Sequence, residues 1–308
     1  MGLGRTLLLA AAKSQRLNDF ATRSRVVRRA TRAFMPGELM EDGLDAGAAI
    51  ARDGRGLLFT RLGEAIAEAR DAVEVRDHYL TLFGEIKARG LAAQVSVKPT
   101  QLGLDLSERD CTMHLIALAT KAESTGSALW LDMEDSAYVD RTLELYTTIK
   151  MGHARAGIAL QAYLRRTPKD VERLLPLKPV IRLVKGAYAE PATVAYPRKA
   201  DTDAAFEAIA GTMLEAARHG DCRPILGTHD MPLLRRIISR AGALGVAKGD
   251  YEVHMLYGIR DREQRALRAE GERVCTLISY GEAWYRWYMR RLAERPANVW
   301  FLARSLFG

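Results

Sequence analysis

Cysteine is scarce in this chain of 308 residues: Cys111, Cys222 and Cys275 stand far apart, with no Cys-x-x-Cys pair. That excludes a disulfide framework and a cysteine-ligated zinc site, and fits a reducing, cytoplasmic setting. Long apolar runs are also missing. The string LLLAAA at residues 7–12 is far short of a membrane span, and Lys13 interrupts it before any clear cleavage signal, so no secretion is expected. Neither G-x-G-x-x-G nor a Walker sequence occurs, which leaves nucleotide binding by the familiar glycine fingerprints unsupported. No Gly/Ser-rich or Pro-rich linker divides the chain.

What is present is the balance of a globular protein, 48% hydrophobic and 27% charged. The formal charge of +8 is concentrated at one end: Arg5, Lys13, Arg16, Arg23, Arg25, Arg28, Arg29 and Arg32 stand against Asp19 alone, and the body is nearly neutral. A nucleic-acid binder carries its basic residues on the folded module that grips phosphate, interleaved with aromatics, and that pattern is absent, so no nucleic-acid partner is expected. Two readings of the basic arm stand side by side. One is a solvated amphipathic helix packed on the body. The other is a helix that docks on an anionic membrane face, where each basic residue contributes about 1 kcal/mol.

Beyond the arm, short β-prone runs alternate with longer helical patterns, the signal of repeated βα units around a parallel sheet. The candidate strands are GLLFT (56–60), AQVSV (93–97), ALWLDM (128–133), GIALQAY (157–163), PVIRLV (179–184), PILGT (224–228), YEVHML (251–256) and VCTLIS (274–279). Helical patterns follow each at 73–88, 108–124, 139–151, 170–175, 202–219, 231–243, 262–270 and 282–295. Pro168-Lys169-Asp170 and Asp201-Thr202 look like helix starts, and Gly90, Gly152, Gly220 and Gly245 like stops. Eight equal units in one uninterrupted series fit an α/β (β/α)8 TIM-like barrel better than a doubly wound sheet. The expected organisation is an N-terminal helical arm over 1–50 and a barrel catalytic domain over 51–308.

Active sites of such barrels are built at the C-terminal ends of the strands. Those ends carry Lys98, Asp132 with Glu134, Gln161, Arg182 with Lys185, Thr228 with His229, Leu256 and Tyr280. Lys98 has three readings: a Schiff-base nucleophile, a fixed cation for a substrate carboxylate, or a structural ion pair with Asp132. Asp132, at the end of an apolar strand, demands a cationic partner. LDMED alone could hold a divalent metal, but the other ends supply mainly cations and neutral groups, so no metal is expected. Gly186 in RLVKGAY lets the backbone approach a ligand closely. His229 directly follows a strand and is either a cofactor or acid–base residue or a satisfied structural histidine, whereas His254, inside a strand, receives no chemistry. In YGEAWYRWYMRRLAER most aromatics read as packing, while Arg290 and Arg291 read either as a carboxylate clamp or as a solvated charge run.

Taken in order, QVSVKPTQLGL, LDMED, LQAY, RLVKGAY, YPRKADTD, GTHD, HMLYG and YGEAWYRWYMRRLAER resemble the proline dehydrogenase family of flavoenzymes, of the monofunctional type, from about Leu62 to Leu302. The resemblance implies a distorted (β/α)8 barrel, noncovalent FAD, and oxidation of L-proline to Δ1-pyrroline-5-carboxylate by hydride transfer from C5 to flavin N5. It also implies electron delivery to a membrane quinone, which gives the basic arm a task in peripheral contact with the inner membrane face. Carried across, Lys98, Arg290 and Arg291 match cations that hold the proline carboxylate, and Tyr280 and Leu256 match residues packed on its ring. Asp132 matches a carboxylate orienting the cationic cluster, and Arg182 an arginine near flavin N5. Gln161, Val184, Lys185, Gly186, Ala187, Thr228 and His229 match FAD contacts, with Met133 beside the isoalloxazine. Tyr188 matches a site-lining tyrosine, and Arg198 with Lys199 the holders of the adenosine diphosphate part. The first 50 residues carry no family motif. The alternative enzyme reading is a Schiff-base-forming barrel lyase or aldolase that uses Lys98 or Lys185.

Overall fold

Each apolar run becomes a strand because both of its faces are covered, one by the barrel interior and the other by a helix. The computed structural model describes residues 31–63, 66–285 and 288–289. Its strands are β1 (Gly56–Arg61), β2 (Ala93–Val97), β3 (Leu129–Leu131), β4 (Gly157–Gln161), β5 (Val180–Val184), β6 (Arg223–Gly227), β7 (Glu252–Leu256) and β8 (Val274–Tyr280). All pair in parallel with their sequence neighbours, and β8 returns to β1, closing an eight-stranded barrel. The fold expected from the alternation of runs is therefore the one observed.

Eight described helices accompany the strands: α1 (Met40–Ala51), α2 (Ala69–Ala88), α3 (Glu108–Ser124), α4 (Val139–Gly152), α5 (Thr167–Leu174), α6 (Lys199–Ala217), α7 (Met231–Ala243) and α8 (Asp261–Ala269). In α3 the buried Cys111, His114, Leu115, Leu118, Ala119 and Ala122 form one stripe at helical spacing, and Ser107 caps its start by accepting from the Asp110 N–H. Gly90, Gly220 and Gly245 adopt positive φ just beyond helix ends, as their reading as stops requires, while Gly152 is the last residue of α4. Helix α6 begins at Lys199, so Asp201 and Thr202 lie inside its first turn instead of capping it.

Two places depart from a uniform series of units. The strand β3 is three residues long, so Asp132 and Met133 lie beyond it at the mouth. Helix α1, within the segment read as an arm, lies over the β8–β1 seam. A Cβ on Gly43 would stand 3.0 Å from the Tyr280 ring, and one on Gly47 2.6 Å from the Phe59 ring. These glycines lie four apart, on one helix face, and let the backbone approach the strands. Near it, Met35 packs with Leu62, Trp284, Tyr285 and Tyr288 in a separate buried cluster, consistent with the reading of the closing aromatics as packing. Residues 1–30, Arg290 and Arg291 lie outside the described residues.

Candidate active site

Strand alternation decides which side chains enter the barrel. Gln94 and Ser96 on β2, Trp130 on β3, Arg182 on β5, Glu252 and His254 on β7, and Cys275 and Leu277 on β8 share the inward parity. Their partners on the opposite parity, such as Val95, Val97, Ile181 and Leu183, pack outward in the main core. At the mouth the inward residues open into a cavity of about 640 Å³, within the usual range for a small-molecule site.

Of the residues singled out from sequence, Lys98, Asp132, Met133, Gln161, Arg182, Val184, Lys185, Gly186, Ala187, Thr228, His229 and Leu256 all line this cavity, as do Tyr188 and Lys199. Tyr280 does not. It is 1% exposed, its hydroxyl shares a 2.8 Å hydrogen bond with His78 Nε2, and its ring faces α1. Tyr280 lies an odd number of residues from the inward Leu277, so the pleat turns it outward, and Leu277 is the residue that β8 contributes to the cavity. Arg198 is exposed and bound to Asp201, and it does not line the cavity either. The paired guanidiniums of Arg290 and Arg291 lie outside the described residues.

Arg182 is the buried cation at the centre. Its Nη2 donates to Ser96 Oγ at 3.0 Å and to Asp132 Oδ1, so the cationic partner that Asp132 demanded is Arg182. Ser96 also donates to Asp132 at 2.7 Å. Arg182 Nη1 and Gln161 Oε1 are buried and have no partner among the described residues, nor does His254 Nδ1. Burial without a hydrogen bond costs about 1–3 kcal/mol for each such group, and in native proteins it marks a place where a ligand or water completes the set.

His254, given no chemistry from sequence, lines the cavity floor. Burial lowers its pKa, although the hydrogen bond to Glu252 opposes this, so the ring is neutral. Its Nε2–H donates to Glu252 at 3.0 Å, which leaves Nδ1 as an acceptor. The signal that could have found it is parity: His254 precedes the expected Leu256 by two. His229 accepts the Leu256 backbone N–H at Nε2 (2.9 Å), so it ties the ends of β6 and β7 as well as lining the cavity.

At the cavity wall, Lys185 binds Asp203 and Asp230, and Lys199 binds the same two carboxylates. Burial would raise the Asp230 carboxyl, but the hydrogen bonds from Lys185 and Lys199 outweigh it and hold it far below the usual range. A lysine held between two carboxylates is poorly suited to Schiff-base chemistry, which needs a free neutral amine. Near Lys98, Glu134 accepts from the Thr100 N–H at 3.2 Å and from its hydroxyl at 2.8 Å. Burial raises its carboxyl in spite of those bonds.

Gly186 sits at φ +111, and a Cβ there would stand 2.2 Å from the Tyr163 ring, so the backbone of the β5 turn lies against that ring as no other residue would allow.

The family model described as proline dehydrogenase matches residues 44–304. Proline dehydrogenase 1 of Bacillus subtilis (strain 168) is 32% identical over 98% of this chain and 98% of its own length. Proline dehydrogenase of Deinococcus radiodurans is 36% identical over 89% of this chain and 88% of its own. Among solved structures, proline utilization A (PutA) from Bdellovibrio bacteriovorus inactivated by N-propargylglycine superposes with a TM-score of 0.82 at 22% identity. That match covers 94% of this chain and 38% of the longer protein, and it carries the fold alone. With a family match running from α1 to beyond β8, and relatives above 30% identity along nearly their full length, the chain belongs to the proline dehydrogenase family.

Proposed function

We propose that this protein oxidises L-proline to Δ1-pyrroline-5-carboxylate with a noncovalently held FAD and passes the electrons to a membrane quinone. The observation that carries the reading is the cavity lined by Arg182 and Gln161, whose buried donor Nη1 and buried acceptor Oε1 lack partners among the described residues. A flat heteroaromatic ring edged with acceptors and donors is the chemistry that such a set fits. FAD, when bound, supplies the hydride-accepting centre.

The chain's own residues do the rest. Arg182, fixed on one edge by Asp132 and Ser96, lines the cavity and keeps a donor with no partner among the described residues. Gln161 offers an acceptor, Met133 an apolar wall, and Lys185 with Lys199 the cations suited to a diphosphate. Lys98, together with Arg290 and Arg291, holds the substrate carboxylate, and Leu256 with Leu277 forms the apolar surface on which the ring lies. The proline nitrogen must be unprotonated before hydride leaves C5, so turnover rises with pH until that amine is neutral.

Anaerobic addition of L-proline to the purified yellow protein is expected to bleach its flavin spectrum. A colourless preparation that takes up no FAD, or a spectrum indifferent to proline, overturns the reading. Trapping with borohydride in the presence of a carbonyl substrate should give no adduct at Lys98 or Lys185. Arg290→Met and Arg291→Met should each weaken proline binding through loss of a charge-assisted contact worth about 1.5–3 kcal/mol, and unchanged kinetics in both reject the clamp. Removal of residues 1–30 should abolish binding to anionic vesicles and quinone-linked turnover while leaving flavin bleaching intact. If both survive, the arm has no membrane task.

A further inference from the structure

Barrel interiors are ordinarily filled by branched aliphatic side chains. Beneath Arg182 this one holds Gln94, Trp130, Glu252 and His254. The Arg182 guanidinium carbon lies 5.1 Å from the centre of the Trp130 ring, over its face. Trp130 is 1% exposed and has Gly157 beside it in register on β4. A Cβ on Gly157 would stand 2.5 Å from the indole, so the ring occupies the space a side chain would fill. The indole N–H donates to Gln94 Oε1, and Gln94 Nε2 lies 3.5 Å from Glu252 Oε2.

Glu252 is itself anchored. Arg223 pairs with it at 2.9 Å, Arg273 at 3.2 Å and His254 at 3.0 Å. Burial would raise its carboxyl, but the hydrogen bond from the neutral His254 and the charge and hydrogen bond of Arg223 hold it below the usual carboxylate range, so it is an anion. The His254 ring meets Trp130 edge-on, with centroids 5.7 Å apart. A buried ion pair is a weak stability device. Here it ends a chain of contacts that holds one ring in one plane beneath one guanidinium.

We propose that Trp130 is a positioning residue for Arg182, a platform whose plane is set by Gly157 on one side and by the Gln94–Glu252 tether on the other. The proposal rests on the reading of Arg182 as the cation at the redox centre. Asp132 and Ser96 hold the guanidinium at one edge and the indole holds its face, so that its plane is fixed at the cavity wall. A cation–π contact of this kind, desolvated in the barrel, is strong enough to select one orientation.

The test is a double-mutant cycle on the holoenzyme. Trp130→Leu is expected to lower kcat for L-proline about tenfold with KM changed by less than about twofold, and Trp130→Phe, which keeps the ring face, to stay within about threefold of the parent. In an Arg182→Met background Trp130→Leu should cost less than about twofold, because the group it positions is gone. A tenfold loss that persists in that background, or an unchanged kcat in Trp130→Leu, overturns the proposal. Should Trp130→Leu fail to fold, Gln94→Leu cuts the tether with the ring in place, and the same cycle with an expected loss of about threefold decides. A second readout needs no turnover: the side-chain N–H resonance of Arg182 in flavin-free protein, assigned by its loss in Arg182→Met. It is expected to be ring-current shifted, and to move to the position of an unstacked arginine in Trp130→Leu. A resonance that does not move sinks the platform. One that moves in a protein that proline does not bleach upholds the platform and rejects the functional reading alone.

Discussion

The two ends of the barrel carry similar charges to opposite ends. At the N-terminal end Arg55, whose side chain is fully buried, is bound to Asp53 and Asp261 at 2.8 Å each and to Gln264 at 3.2 Å. At the C-terminal mouth Arg182, almost as buried, has Asp132 and Ser96 on one side and an Nη1 with no partner among the described residues. Burial and ion pairing do not separate the two arginines; satisfaction does. The first closes its hydrogen bonds within the protein and staples β1 to α8. The second leaves a donor for something the protein binds. An incomplete buried cation marks chemistry, and a complete one marks stability.

The sharpest way to break that contrast is to truncate both. Arg182→Met should lower kcat for proline by about 10²-fold or more, as loss of a preorganised donor does, with a loss of stability of about 1–3 kcal/mol because Asp132 is left without its cation. Steady-state kinetics beside a melting curve would show it, and a large fall in stability with full activity would reverse the assignment. Arg55→Met should cost stability alone. Its carboxylate partners are partly exposed and can rehydrate, so the cost is about 2–3 kcal/mol in urea unfolding, below that of a wholly buried pair, with kcat intact. Gly186→Ala tests the cavity wall: the φ of +111 and the Tyr163 ring at 2.2 Å make it costly, by about 1–3 kcal/mol, with weakened flavin retention on gel filtration.

The smallest effect is expected away from both ends. Burial, and after it the Arg61 charge, lowers the His78 pKa to about 4. An unfolded histidine titrates near 6.5, so the neutral native ring contributes stability that is fully present above about pH 6.5 and is lost as pH falls toward 4. The melting temperature measured across that window should fall less steeply in His78→Gln than in the parent. Equal slopes would remove His78, and with it the Tyr280 contact, from the acid response.

Much of this was legible before any coordinates. Eight apolar runs bounded by turn residues became eight strands, with ends moved by at most two residues, because strands buried on both faces must be continuously apolar. The strand ends named the mouth, and the mouth holds the cavity. The interior was not legible: nothing local in the sequence marks His254, Trp130, Gln94 and Glu252 as neighbours inside the barrel. Tyr280, carried across by resemblance, faces outward, while Leu277, three positions earlier and on the inward parity, stands in the cavity.

By itself, then, the sequence determined the order of elements, the identity of the barrel and the list of polar groups that reach its mouth, because periodicity and strand ends are local properties of neighbouring residues. Only the tertiary structure decided which of them complete one another. Arg182 meets Ser96 across 86 positions and Gln94 meets Glu252 across 158. A hydrogen bond is a matter of a few tenths of an ångström between atoms that the chain's own spacing leaves unrelated until the barrel closes.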